Sequence, residues 1–116
     1  MAKINSREKG KRGELTVSKF FQEHGYDAHR SVQFCGKTGQ AADVIGVDGL
    51  HLEVKFQETM HLYDWMAQAV RDSEAEGKGN IPVVVHKQNR KDMLVTMRAD
   101  DWIAFYEGWL CQQKET

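Results

Sequence analysis

Residues 43–56 constrain the fold most, because they have the pattern of two short strands joined at Asp48-Gly49. An Asp-Gly dipeptide adopts the positive φ angles of a tight hairpin turn at little conformational cost. In the second strand, side chains alternate between two faces, one apolar and one polar. The apolar face carries Leu50, Leu52, Val54 and Phe56, and the polar face carries His51, Glu53, Lys55 and Gln57.

The polar face of this hairpin brings charged side chains together. Glu53 and Lys55 are neighbours, and Asp43 opens the first strand among apolar residues, where an ionised carboxylate is costly unless it is paired or metal-bound. If Asp43 lies across the hairpin, two carboxylates and an ammonium converge on one spot. The alternative is that Asp43 caps the start of the strand or simply pairs with Lys55.

This combination of groups suits the hydrolysis of a phosphodiester. Magnesium prefers carboxylate and carbonyl oxygens, here those of Asp43, Glu53 and the Val54 backbone. The metal would lower the pKa of a bound water and stabilise charge on a phosphate oxygen. The Lys55 ammonium would orient the attacking water or offset charge on the phosphate.

The length of the chain, 116 residues, predicts one domain spanning residues 1–116, with residues 1–12 as a basic N-terminal arm or helix start. A charged N-terminus and the lack of a long apolar run predict a cytoplasmic protein with no membrane segment. Cys35 and Cys111 lack CxxC spacing and are expected to be free thiols. The net charge of −1 does not by itself indicate a nucleic-acid binder, although basic residues cluster near the N-terminus and at 87–91.

Hydrophobic periodicity predicts an α/β chain in the order helix, three strands, helix, two strands, helix. The predicted helices cover 6–24, 62–76 and 100–113, and the strands outside the hairpin cover 26–34, 81–86 and 93–97. Gly10 and Gly13 leave two interpretations open. Either the first helix begins near Gly13, or glycine lets another backbone or a phosphate come close.

Two further segments carry expectations of their own. The last helix is rich in aromatic residues, for which core packing is the preferred interpretation and contact with a second subunit the alternative. The loop Gly36-Lys-Thr38 lacks the earlier glycine of a phosphate-binding loop, so no nucleotide cofactor is expected.

Taken together, the sequence resembles the PD-(D/E)XK nuclease superfamily and, within it, the archaeal-type Holliday junction resolvases and their phage relatives. The resemblance spans most of residues 8–103. It implies a restriction-endonuclease-like core, a mixed five-stranded sheet flanked by helices in the order α-β-β-β-α-β-β-α. The matching stretches are Gly10-Lys-Arg-Gly-Glu-Leu15, Arg30-Ser-Val-Gln-Phe-Cys-Gly36, Ala42-Asp-Val-Ile-Gly46, His51-Leu-Glu-Val-Lys55, Tyr63-Asp-Trp-Met-Ala-Gln68 and Pro82-Val-Val-Val-His-Lys87.

The resemblance also implies a set of site residues. The expected catalytic residues are Glu14, Asp43, Glu53 and Lys55. The expected ligands of Mg²⁺, with Mn²⁺ as an expected substitute, are Glu14, Asp43, Glu53 and the Val54 carbonyl. The expected contacts to the DNA backbone are Arg12, Arg30, Lys37, Lys87 and Arg90.

Three further positions are candidates for the site. Spacing leaves open whether Gln68 faces solvent or the site, and Ser31 and Thr38 are both candidates for the serine that the archaeal resolvases carry in this loop. Ala42 stands where the superfamily has its proline. His51 shares a strand face with Glu53 and is expected to face solvent rather than to bind metal.

The expected function is that of a magnesium-dependent, structure-selective DNA endonuclease. The leading hypothesis is a Holliday junction resolvase that works as a homodimer on branched or duplex DNA, in the host cytoplasm if it is phage-encoded. The alternatives are a flap, end or nonspecific duplex nuclease of the same fold, and a non-catalytic DNA-binding domain. The joint presence of Glu14, Asp43, Glu53 and Lys55 counts against the last of these.

Overall fold

A computed structural model describes residues 6–31 and 41–115 of the chain. The predicted loop at 35–40, which includes Cys35, Lys37 and Thr38, lies outside the described residues. The helices are α1 Ser6–Glu23, α2 Leu62–Glu76 and α3 Ala99–Lys114. The strands are β1 His29–Arg30, β2 Val44–Ile45, β3 Leu50–Phe56, β4 Ile81–Lys87 and β5 Leu94–Thr96, so the predicted α/β order is confirmed.

The five strands form one mixed sheet in the order β1-β2-β3-β4-β5. Neighbouring strands are antiparallel except for β3 and β4, which pair in parallel from Leu50↔Ile81 to Phe56↔Lys87. Parallel neighbours require a crossover connection, and α2 supplies it. The central strands β3 and β4 therefore have α2 on one face of the sheet.

Each face of the sheet packs against a helix. On the α1 face, the apolar side of β3 joins a core that contains Val17, Val44, Leu52, Val54, Val83 and Val85. On the α2 face, Trp65 and Ala69 pack with Val84. The predicted apolar face of β3 is thus confirmed. The expectation that His51 faces solvent is wrong, because α2 covers the polar face as well, and His51 is fully buried.

The first helix runs without interruption through Gly10 and Gly13, so it does not begin near Gly13. At Gly13 the helix lies directly against β3: an added Cβ would stand 3.0 Å from Cγ of Phe56. Gly13 therefore permits a close approach of α1 to β3. The neighbour is the Phe56 side chain, not another backbone or a phosphate. Nothing lies within 4 Å of the corresponding position at Gly10.

Two other elements differ from expectation. The first strand is limited to His29–Arg30 within the described residues, whereas residues 26–28 are not extended strand. At the hairpin turn only Gly49 has a positive φ, of 87°, and the Leu50 N–H donates to the Val47 carbonyl at 3.2 Å. Asp48 therefore does not take the positive φ that was predicted for both turn residues.

The last helix contradicts the preference for core packing. None of its residues is buried, and its large apolar side chains are about half exposed. It follows the short edge strand β5, and no further layer of the described chain covers it. The exposed set is Trp102, Ile103, Phe105, Tyr106 and Trp109.

Two other expectations concern the cysteines and the membrane. Cys111 is an exposed free thiol. Among the described residues, no helix combines the length and the apolar character that crossing a bilayer requires.

A glycine pair tests the geometry of the hairpin. An alanine Cβ at Gly46 (φ +97°) would stand 2.0 Å from the backbone oxygen of Asp27, whereas Gly49 (φ +87°) has open space around it. Gly49→Ala should cost about 1–2 kcal/mol in the free energy of unfolding, from backbone strain alone. Gly46→Ala should cost at least about 3 kcal/mol, because strain and a clash with backbone add. Urea unfolding measures both, and equal losses would contradict the close contact at Gly46.

Candidate active site

Backbone groups of β3 and of Ser31, which directly follows β1, fix Asp43. The Asp43 N–H donates to the Leu52 carbonyl at 2.8 Å, and the Asp43 carbonyl accepts from the Ser31 N–H at 3.0 Å. The side chain reaches across the hairpin, where Oδ2 accepts from the Val54 N–H at 2.8 Å. Asp43 is therefore held against the strand that carries Glu53 and Lys55.

The carboxyl groups of Asp43 and Glu53 are close enough to interact electrostatically. Burial and the neighbouring Glu53 carboxylate raise the pKa of Asp43 to about 7, against the opposing effects of the Val54 N–H and Lys55. Glu53 is itself 2% exposed. Two adjacent carboxyl groups that are out of water repel each other when both are ionised, and a nearby cation would relieve that repulsion.

Lys55 extends from β3 toward α2. Its Nζ donates to Oε1 of Gln68 at 3.2 Å. The sequence spacing of α2 left open whether the Gln68 side chain faces solvent or the site. The hydrogen bond places that side chain beside Lys55. The amide accepts one of the three hydrogen bonds that the ammonium can donate.

Glu14 approaches from α1 and is paired with Arg30. The Arg30 Nε donates to Oε1 of Glu14 at 3.0 Å. Burial, together with the charge of Asp43, raises the pKa of Glu14, and Arg30 acts in the opposite direction. Arg30, which was expected to contact the DNA backbone, is thus paired with the carboxylate of Glu14.

His51 and Glu76 are site neighbours that sequence reasoning missed. The His51 Nε2 lies 3.0 Å from Oε1 of Glu53, and its Nδ1 lies 3.1 Å from Oε1 of Glu76. Burial lowers the pKa of His51, but the two carboxylates outweigh burial and raise it above the ordinary value. The shared strand face of His51 and Glu53 was the available signal, whereas nothing in the local sequence pointed to Glu76.

Glu14, Asp43 and Lys55 line an open cleft of about 690 Å³, and Glu53 lies buried behind it. Its wall includes Lys9, Glu14, Asp43, Val54 and Lys55. A second cleft, of about 340 Å³, shares Lys9 and Phe56 with the first and is also lined by Arg12 and Lys87. The basic side chains of α1 and β4 therefore stand beside the acidic site.

The remaining expected residues are placed separately. Arg90 is exposed, with φ +63°, in the connection between β4 and β5. Ser31 is half-buried, and its backbone contacts Asp43. Lys37 and Thr38 lie outside the described residues.

A mixed five-stranded sheet with helices on both faces, and a hairpin that carries Asp43, Glu53 and Lys55, defines a nuclease domain of the PD-(D/E)XK class. A family model described as "Phage putative PDDEXK endonuclease" matches residues 5–112. The chain belongs to this family of phage PD-(D/E)XK endonucleases.

A solved structure gives the same assignment of the fold. The chain is similar to Archaeoglobus fulgidus Hjc, a Holliday junction resolvase from an archaeal hyperthermophile, with 25% sequence identity and a TM-score of 0.57. The match covers 77% of this chain and 72% of that one, and it confirms the restriction-endonuclease-like core. No curated protein matches the sequence significantly.

The donor chemistry of the site fits a hard divalent cation at one pair of residues. Asp43 and Glu53 offer adjacent carboxylate oxygens, and a bound cation would oppose the burial and the like charge that raise the pKa of Asp43. Within residues 6–31 and 41–115, no group of three or more His, Cys, Asp or Glu side chains has the arrangement of a metal site. Glu14 is held by Arg30 instead.

The pKa of Asp43 predicts a dependence of stability on pH in the metal-free protein. Between the ordinary value of 3.8 and about 7, the folded state binds more protons than the unfolded state, so stability falls as pH rises through this window. Asp43→Asn removes the penalty and keeps an oxygen for the Val54 N–H. It should raise the free energy of unfolding at pH 8 by about 2–4 kcal/mol and have little effect near pH 4.

Urea unfolding at both pH values, in the presence of EDTA, measures this difference. Asp92→Asn, at an exposed loop position, is the matched control and should change stability by less than about 0.5 kcal/mol. A gain for Asp43→Asn that is equal at pH 4 and pH 8 would show that the carboxylate pair is not its cause.

Proposed function

We propose that this protein is a divalent-metal-dependent DNA endonuclease that resolves Holliday junctions as a homodimer, in the cytoplasm of the host cell. The observation that carries the proposal is the pair formed by half-buried Asp43 and buried Glu53, set beside Lys55 at an open cleft that has a basic neighbour. Such a pair is unfavourable without a cation, and the cleft is open enough to admit a nucleic-acid backbone.

Asp43, Glu53 and the Val54 carbonyl are the groups that would hold Mg²⁺, or Mn²⁺ in its place, and Glu14 is the candidate third acid. When bound, a divalent cation of this kind stabilises negative charge on a phosphate oxygen and makes a water molecule more acidic. The Arg30 guanidinium would then have to share Glu14 with the cation. Its proximity also gives it access to a phosphate that enters beside α1.

Lys55 is the group that would act on the attacking water and on the charge of the phosphate. An ammonium at this point donates hydrogen bonds to oxygen atoms, and it favours a transition state that carries more negative charge than the substrate. Gln68 would orient Lys55 through the 3.2 Å contact and leave its other protons for the substrate.

The basic cleft beside the site would bind the sugar-phosphate backbone. Lys9, Arg12 and Lys87 line it, and Lys9 also borders the acidic site. Contacts of this kind give affinity and register without reading sequence. Arg90 and Lys37 remain proposed contacts to the DNA backbone.

The preference for junctions is supported by the similarity to Hjc, which is described as a Holliday junction resolvase. A flap, end or duplex nuclease would use the same chemistry, because the site cleaves whichever phosphodiester is placed in it. A non-catalytic DNA-binding domain is disfavoured, because it would carry the unfavourable carboxylate pair with no use for it.

The exposed face of α3 supports the homodimer. Trp102, Tyr106 and Trp109 stack along the helix, with ring centroids 5.6 and 6.0 Å apart. Acidic residues on the same helix, Asp100, Asp101 and Glu107, disfavour DNA as its partner. A second copy of the chain would cover this aromatic face by pairing the two helices, and each dimer would then present two sites to a two-fold symmetric substrate.

The nuclease assay uses labelled four-way junctions, flaps and linear duplex, with Mg²⁺ or with EDTA. The wild type should make paired, symmetric incisions in the junction only when metal is present. Lys55→Ala and Glu53→Ala should each lower the rate at least about 100-fold, because the first removes a positive charge beside the phosphate and the second removes a proposed metal ligand. Lys19→Ala, at an exposed position of α1, is the matched control.

Each departure from this pattern has a distinct meaning. Cleavage that persists in both variants would remove the proposed site. Metal-dependent cleavage of flaps or duplex in preference to junctions would support one of the other nucleases of this fold.

The dimer is tested by sedimentation at micromolar concentration. Trp102→Ala and Trp109→Ala should each weaken self-association about 30-fold or more, since each removes an aromatic side chain from the centre of the interface. Tyr63→Ala, a 92% exposed aromatic outside α3, should leave it unchanged. A wild type that sediments as a monomer would argue against the resolvase while leaving the nuclease intact.

A further inference from the structure

A chain of three linked side chains, two of them fully buried and one half-buried, runs from the end of α2 to the site. Its members are Glu76, His51 and Glu53, whose side chains are 16%, 0% and 3% exposed. The same face of the sheet also buries the apolar side chains Trp65, Ala69 and Val84. Replacing buried charged groups with well-packed apolar residues is often neutral or stabilising, so stability alone does not account for this chain.

The hydrogen bonds of the chain fix each member in turn. His51 contacts Glu53 through Nε2 and Glu76 through Nδ1, so both ring nitrogens are engaged and the imidazole cannot rotate without losing one contact. The same contact restrains the carboxylate of Glu53. Glu53 in turn interacts electrostatically with Asp43.

The spacing of α2 matches that of β3. Gln68 contacts Lys55, and Glu76 contacts His51. Eight residues of helix rise about 12 Å, and four residues of strand span about 13 Å. α2 packs along β3 in the opposite direction. It can therefore hold Lys55 directly, through Gln68, and Glu53 indirectly, through Glu76 and His51.

We propose that His51, clamped by Glu76, is a positioning residue that holds the Glu53 carboxylate in the orientation that binds the divalent cation. This inference rests on the proposed metal-dependent function. Carboxylates that bind metals are usually oriented by hydrogen bonds from neighbouring groups, and losing such a neighbour lowers metal affinity. Gln68 orients Lys55 through a hydrogen bond in the same manner, so residues of α2 hold both Glu53 and Lys55 in place.

The test measures the binding of Mn²⁺ to the full-length protein by calorimetry, without DNA. His51→Ala and Glu76→Ala should weaken the affinity about 10- to 100-fold. Glu76→Gln keeps an oxygen that accepts from His51 and should stay within a few-fold of the wild type. Glu74→Ala, an exposed acid on the same turn of α2, is the matched control and should bind as the wild type does.

A second readout separates positioning from a general loss of structure. With saturating junction, Glu76→Ala should lower kcat at limiting Mn²⁺ and recover most of it at high Mn²⁺, with KM for DNA unchanged. Glu76→Ala that is less stable to urea but binds Mn²⁺ with wild-type affinity would overturn the inference. A wild type that binds no Mn²⁺ would overturn the proposed function itself, and with it this inference.

Discussion

The hydrogen bond from the Val54 N–H to Asp43 is the interaction on which the site depends. It draws an aspartate from the start of one short strand onto the backbone of the next, and so brings its carboxyl group beside that of Glu53. The arrangement is unfavourable electrostatically, since burial and a like charge both raise the pKa of Asp43. The fold accommodates this unfavourable arrangement because β3 pairs with β4 along its full length, within a core that is mostly valine.

The two helices that flank the sheet have different roles at the site. α1 approaches closely because Gly13 has no side chain to keep Phe56 away, and this approach delivers Glu14 and the basic residues Lys9 and Arg12. α2 reaches the other face and contacts Lys55 and His51. Among the described residues, α3 contributes no side chain to either cleft of the site. Its exposed aromatic residues are the surface that a partner would cover. The proposed catalytic site and the proposed dimer surface therefore lie in separate parts of the chain.

Much of the fold was accessible from the sequence because its signals are local. The alternation in residues 50–56, the Asp48-Gly49 turn and the helical pattern of residues 62–76 each depend on a few neighbouring residues. The first strand and the last helix were harder for the opposite reason. A two-residue strand has no periodicity to detect. An aromatic helix has the pattern of a core helix whether the surface that covers it belongs to the same chain or to another one.

The sequence by itself determined the identity of the chemical groups and their order on β3, because a strand of period two makes Glu53 and Lys55 neighbours wherever it folds. Only the tertiary structure decided what surrounds them. Spacing along α2 could not show that Gln68 would contact Lys55, or that Glu76 would reach His51 from 25 residues away. These contacts depend on the angle and register at which α2 packs across β3, which many residues set together. His51 looked like a solvent-facing residue for the same reason: its burial belongs to the helix that covers it.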